Sequence, residues 1–313
     1  MKRERHPTVA ETTSSRSSFL ERHHFLLRRL HSLTGIVPIG VFLIVHLITN
    51  SSVVWGKWLG RTYYPLADGT VHGGVETFQH EVNFIHSMPF LPLIEWSVLF
   101  LPILFHAGLG FVYAFSGRPN VRLYHYPDNW RYTLQRITGY VGFVYILIHV
   151  LSLRFGTHFD GAFTFGGAFP TFSANFASST TARHFQESEL GALVVVLVYA
   201  IGVGALVFHF ANGLWTAAIT WGLTVTVSAQ KRWGHICTML GIVLTVLGAM
   251  AIYGFSTLDV EKAQAIEQKM LLGYPGAHDG EVTDAPRYDD PPNVVLPGDE
   301  AVDPVVVPAP GGN

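Results

Sequence analysis

The sequence predicts an all-α membrane protein with five transmembrane helices, and three observations carry that reading. Only 13% of the 313 residues are charged, while 49% are hydrophobic and the mean hydropathy is +0.31. An ordinary soluble domain is about 25% charged. Five apolar runs each reach the roughly 20 residues needed to cross about 30 Å of hydrocarbon as a helix. Four histidines, His46, His106, His149 and His209, lie inside four of these runs, one to a run. A side chain that titrates or binds metal is rare inside a bilayer span and is functional by default. Helix is expected for each run, because isolated strands in lipid leave backbone groups without partners.

The first run, residues 30–48, is nearly all apolar and follows a basic stretch. It is too long for a cleavable signal, carries His46, and is followed by no small-residue cleavage site. The second covers about 91–115 and the third about 134–153. The fourth starts near residue 190 and stays apolar to about 227, which exceeds one crossing. It either tilts or continues around residues 215–221 as a helix at the interface. The fifth covers about 236–255. Pro38, Pro92 and Pro102 fall within or at the ends of helices and read as kinks or first-turn prolines.

Lys and Arg in the short connections set the orientation. Arg16, Arg22, Arg28 and Arg29 precede the first run, Arg118, Arg122 and Arg131 lie in the second connection, and Lys231 and Arg232 in the fourth. These sides are expected to be cytoplasmic. The N-terminus is then inside and the C-terminus outside. Residues 1–27 read as a basic cytoplasmic segment, 28–255 as the five-helix transmembrane domain, and 256–313 as an acidic, proline-rich tail on the outer side. The tail begins with a short helix near 260–272 and is otherwise expected to be disordered. The third connection, with Phe163, Gly166, Gly167 and Ser178, reads as an irregular outer loop. No internal repeat is evident.

Orientation assigns a depth to each histidine. His46 and His149 lie near the ends of outward-running helices. His106 and His209 lie past the middle of inward-running ones. At 1.5 Å per residue, His46 is roughly 20–25 Å above the cytoplasmic start of its helix, and His106 only about 14 Å above its helix end. Matched depth pairs His46 with His149 and His106 with His209. Two pairs of neutral imidazoles facing each other across a bundle can hold two iron porphyrins. The expectation is a four-helix haem-binding bundle plus a fifth helix, with two b-type haems stacked across the membrane. A lone membrane histidine often only hydrogen-bonds to a neighbouring helix, but four at two depths fit the haem reading better. A zinc site would need four ligands at one depth. Cys237 alone supplies neither a disulfide nor the thiolates of an iron–sulfur cluster, and no CxxCH is present to attach a c-type haem.

Haem propionates need cationic or hydrogen-bonding partners near the interface. Arg28, His31 and Ser32 beside Arg29 at the inner end of the first helix are candidates, as are Gln135 and Arg136 of the third and Asn212, three positions past His209. Interfacial anchoring explains any single arginine equally well. Gly40, Ala107, Gly108, Gly110, Gly139, Gly142, Gly202 and Gly204 lie near the ligands. They either let helices approach or clear space for a porphyrin face. His23, His24, His125 and His235 are expected to be solvated. Trp96, Trp130, Trp215 and Trp221 fit an interfacial belt.

Four blocks of this chain resemble a known family. They are RRLHSLTGIVPIGVFLIVH (28–46), LFLPILFHAGLGFVYAF (99–115), NWRYTLQRITGYVGFVYILIH (129–149) and FHFANGLWTAAITWGLTVT (208–226). Their ordered combination is similar to the di-haem cytochrome b anchor of succinate:quinone oxidoreductases, in the single-chain, five-helix b558 form of bacterial succinate dehydrogenase and fumarate reductase. The resemblance covers about residues 28–255. It implies that the residues at His46 and His149 ligate the distal haem and those at His106 and His209 the proximal one. It implies a flavoprotein with covalent FAD and an iron–sulfur subunit docked on the inner face, so that FAD and the clusters belong to partner subunits. It further implies that electrons from succinate pass through both haems to a quinone, usually menaquinone, with reversal as fumarate reduction. Nucleic acid has no part in it.

If electrons enter from the cytoplasm, the quinone site belongs near the outer haem. Glu81 and His86, just before the second helix, are candidate proton donors there, and ordinary solvated loop residues otherwise. Some family members carry a glutamate two residues before the fourth ligand, proposed to move protons across the membrane; here that position is Val207. The alternatives are a di-haem cytochrome b of another membrane oxidoreductase, such as a hydrogenase or formate dehydrogenase, and a haem-free anchor or transporter. A transporter would more often show repeated halves and broken helices.

Overall fold

A computed structural model describes residues 19–59, 73–116, 127–154, 172–188 and 191–272. Among the described residues the regular structure is helical and there is no strand. Five helices among the described residues are long and apolar enough to cross a membrane: His24–Leu59, Leu91–Ser116, Asn129–Leu153, Ala192–Thr220 and Val227–Thr257. Each is called a span below, in chain order. The end of the bundle where the first span begins is the near end, and the opposite one the far end.

The spans extend beyond the apolar runs because their polar flanking turns stay helical. The first is broken at Val37, immediately before Pro38, which opens the next helical stretch at its first position. Proline has no N–H to donate to the carbonyl four residues back, so the break falls where the ladder loses a bond. Proline acts again in the second span. Glu95–Phe100 is a widened π-helical turn directly before Leu101 and Pro102. Such a turn relieves the clash of the Pro102 ring with the preceding turn.

The fourth span ends at Thr220 and does not run on to Val227, which starts the fifth. Gly222 turns the chain with φ +74°, a conformation that favours glycine. Thr226 then caps the fifth span by accepting from the Ala229 N–H at 3.2 Å.

The first four spans enclose a central space. The first packs on the second and fourth, and the third packs on the fourth. The fifth lies outside this set, against the first and fourth. Val207, Leu47 and Leu244 fill the seam with the fifth span. Large apolar side chains such as Val41, Val45, Leu104, Leu197, Ile201, Ile242 and Val246 point away from the bundle and are exposed. A continuous apolar exterior of this height is suited to lipid.

Three short helices close the far end: Gly73–His86, Ala177–Gln186 and Val260–Leu271, the first, second and third cap helices. The second replaces the irregular loop expected around Ser178; Phe163, Gly166 and Gly167 lie outside the described residues. Glu81 and His86 likewise sit on a helix, not in a loop. No side chain of its own caps the second cap helix. The N–H groups there are met from the two other cap helices instead. Gln79 Oε1 accepts from Ala177 N at 2.9 Å. Glu267 accepts from Ser178 N (2.6 Å), Ser179 N (3.2 Å) and Ser179 Oγ (2.5 Å). These contacts satisfy donors that a helix start otherwise leaves open. Burial pushes the Glu267 carboxyl up to about 7 despite these bonds. The helix expected at 260–272 is therefore present and docked through Ala263, Ile266 and Glu267. Residues from 273 onward lie outside the described residues, as do 1–18.

Candidate metal centres

Histidines from the four enclosing spans meet in two pairs. The rings of His106 and His209 are 6.1 Å apart between centroids, with planes at 81°. Those of His46 and His149 are 5.8 Å apart, at 83°. An imidazole nitrogen binds a transition metal at about 2.0–2.1 Å, so two rings on opposite sides of one ion place their centroids about 6 Å apart. Both pairs fit that spacing. Among the described residues no cluster of three or more His, Cys, Asp or Glu could hold a metal. The donor set therefore suits an ion whose remaining ligands come from a macrocycle, with one imidazole on each face.

The pairs lie at different heights. Tyr199, which touches His149, precedes His209 by ten residues on the fourth span, and Gly139, which touches His209, precedes His149 by ten on the third. Ten residues of helix rise about 15 Å. The near pair is His106 with His209 and the far pair His46 with His149.

Local structure fixes the near rings. His106 Nδ1–H donates to the His31 carbonyl at 2.8 Å, and His209 Nδ1–H donates to the Gln135 carbonyl at 2.9 Å. A carbonyl can only accept, so in both rings Nδ1 carries the proton and Nε2 keeps a lone pair for a metal. The His31 ring also stacks on His106 at 3.9 Å and 10°. Gln135 Nε2 donates to the His209 carbonyl at 3.0 Å, Asn212 Nδ2 donates to Gln135 Oε1 at 2.8 Å, and Arg131 Nε donates to Asn212 Oδ1 at 2.9 Å.

A cavity of about 520 Å³ opens around the near pair. All six proposed propionate partners, Arg28, His31, Ser32, Gln135, Arg136 and Asn212, line it. The structure brings them together but gives them unlike surroundings. Gln135 and Asn212 are engaged in holding His209. Ser32 Oγ accepts from the Trp221 indole at 2.8 Å. Arg28 lies over the Tyr113 ring at 5.4 Å and Arg136 over Tyr132 at 5.6 Å.

Sequence reading missed Arg131 as a site residue; it also lines the cavity and stacks on Trp215 at 3.7 Å. It missed Gly35 as well, where an added Cβ would come within 2.5 Å of His106 Cε1. Of the glycines noted near the ligands, Gly139 faces His209 and Gly202 faces the Tyr145 ring, while Gly108 and Gly204 face nothing within 4 Å.

The far pair is surrounded by aromatic side chains. Phe42 stacks on His46 and Tyr145 on His149. Glu81 of the first cap helix reaches the Thr49 hydroxyl, three residues past His46. Its Oε2 is buried with no hydrogen-bond partner. Burial raises the Glu81 carboxyl above the usual carboxylate range. His86 bonds within its own helix, its Nδ1–H donating to the Val82 carbonyl at 3.0 Å. Val207 is buried against Leu47 and Leu244, so no acid stands two residues before His209.

No family model matches the chain. Among curated proteins, it is 32% identical over 231 residues to the succinate dehydrogenase cytochrome b558 subunit of Bacillus subtilis (strain 168). The match covers 74% of this chain and 96% of that protein.

Proposed function

Because the chain belongs to the family of cytochrome b558 subunits of succinate dehydrogenase, we propose that it anchors a succinate:quinone oxidoreductase in the membrane and links its water-soluble subunits to a quinone. The observation that supports this most is the two histidine pairs, each at the spacing of one shared metal and set at two heights in one bundle. Bound there, two b-type haems would supply one-electron carriers between the clusters of the partner subunit and a quinone.

The chain's own residues bind and orient. His106 and His209 would hold the near haem, and His46 and His149 the far one. Arg28, Arg131 and Arg136, with His31 and Ser32, offer positive charge and donors to propionates in the near cavity. Gln135 and Asn212 act chiefly by holding His209.

The near end carries Arg28, Arg29, Arg131, Arg136, Lys231 and Arg232, and we assign it to the cytoplasm by the excess of positive charge. The flavoprotein and iron–sulfur subunits dock on that face, where basic side chains offer charge and hydrogen-bond donors. The chain's one cysteine cannot supply the thiolates of a cluster, and we assign the clusters, FAD and the succinate chemistry to those partners. The quinone site lies at the far end. Glu81 reaches Thr49, one turn past His46, and its raised carboxyl is the candidate proton donor to a quinone oxygen, with His86 on the same helix as the second candidate. In the reverse direction the same parts serve fumarate reduction.

The test is purification of the tagged chain from membranes in mild detergent. A flavoprotein with covalent FAD and an iron–sulfur protein are expected to accompany it, and succinate to reduce its haem. A haem-bearing chain that purifies with other partners and ignores succinate would assign it to a different oxidoreductase.

A further inference from the structure

The two near-pair rings are each oriented by a backbone carbonyl, but His149 is not. Its Nδ1 faces the Tyr199 hydroxyl at 3.2 Å, and that hydroxyl lies 2.9 Å from His184 Nε2. His184 belongs to the second cap helix, in the long third connection, and is fully buried. Tyr199 is 7% exposed and packs edge-on against both imidazoles.

The proton positions follow from the chemistry. If His149 Nε2 binds a metal, its Nδ1 must carry the ring's proton and donate to the Tyr199 oxygen. The phenol has one proton, and His184 Nε2 is the acceptor closest to it. Burial lowers His184 to about 4, so its ring is neutral at neutral pH, and the tautomer with the proton on Nδ1 leaves the Nε2 lone pair to accept from the phenol. The Ser152 hydroxyl also lies within reach of the phenol. Donation to His184 makes the phenol oxygen a stronger acceptor for His149 Nδ1–H.

We propose that Tyr199 and His184 are positioning residues that set the donor strength of His149, and so make the far haem the one whose potential is tuned by the cap. The inference rests on haem ligation by His149. An acceptor on Nδ1–H increases the basicity of a ligating imidazole. A more basic ligand favours the oxidised metal and lowers the potential. The backbone acceptors at the near pair cannot be removed by a side-chain change, whereas this one can.

The experiment uses the intact complex, with potentiometric titration of both haems, low-temperature electron paramagnetic resonance of the oxidised form, and haem content. Tyr199→Phe should leave two haems per chain and the near potential unchanged, while the far potential rises and its low-spin signal shifts. His184→Leu should move the far potential in the same direction by less. His184→Gln, whose amide oxygen can accept from the phenol, should restore the wild-type value. Equal potentials in all variants, or an equal response to Leu and Gln at position 184, would overturn the proposal. A wild-type complex without a far haem would instead remove the reading it rests on, so the two failures are distinguishable.

Discussion

Gly35 and Glu81 make the most local claims. A methyl group on Gly35 would sit 2.5 Å from His106 Cε1, in a ring already held by its bond to the His31 carbonyl and by the stacked His31 ring. Gly35→Ala is expected to remove the near haem, about half the total, whereas Gly108→Ala, with nothing within 4 Å, leaves both; a pyridine haemochrome assay reads the difference. Glu81→Gln keeps the bond to Thr49 but loses the acid. It should lower quinone reduction by about 10²-fold, the scale of a lost general acid, with haem content and dye-linked succinate oxidation intact. Unchanged quinone reduction would exclude Glu81 from the site. The four histidines were legible in the sequence because a metal-binding side chain is so rare in a span. Gly35 was not, because glycine in a membrane helix equally reads as a close helix contact. Arg131 read only as a charge that fixes orientation, since its partner Asn212 lies 81 residues away.

At the scale of elements, the spans were readable from apolar length, and the cap was not. Its helices are short and amphipathic, and their starts are satisfied by Gln79 and Glu267 from distant parts of the chain, which no local pattern reveals. The π turn before Pro102 was signalled only by the proline. Glu267 gives the cap a pH dependence. Its carboxyl titrates at about 7 when docked, above its ordinary 4.5. The docked state then binds more protons than the undocked one between these values. The Glu267 contribution to docking of the third cap helix is therefore full below about pH 4.5, is lost as pH rises through 7, and levels off above. His184, lowered to about 4, acts oppositely, weakening the cap as pH falls from 6.5 through 4. Hydrogen exchange of Val260–Leu271 against pH is the measurement. Glu267→Gln should abolish the weakening between pH 4.5 and 7 while leaving the acid limb. If the wild-type and Glu267→Gln profiles coincide, the carboxyl does not govern docking.

For the whole molecule, the bundle is a frame that holds two ring pairs about 15 Å apart in height, inside an exterior of exposed aliphatic side chains. The positive near end predicts the orientation of the assembly. Protease added to inverted vesicles should cut the N-terminal segment, and the partner subunits should protect it. Cleavage indifferent to those subunits would place them elsewhere. The central claim is that four histidines make two separate haem sites, and haem content of the four single His→Ala variants tests it most directly. The wild-type chain should hold two haems and each variant one. His46→Ala and His149→Ala should lose the same haem by spectrum and potential, and His106→Ala and His209→Ala the other. A variant that keeps both haems, or a loss shared between His46 and His106, would contradict the account.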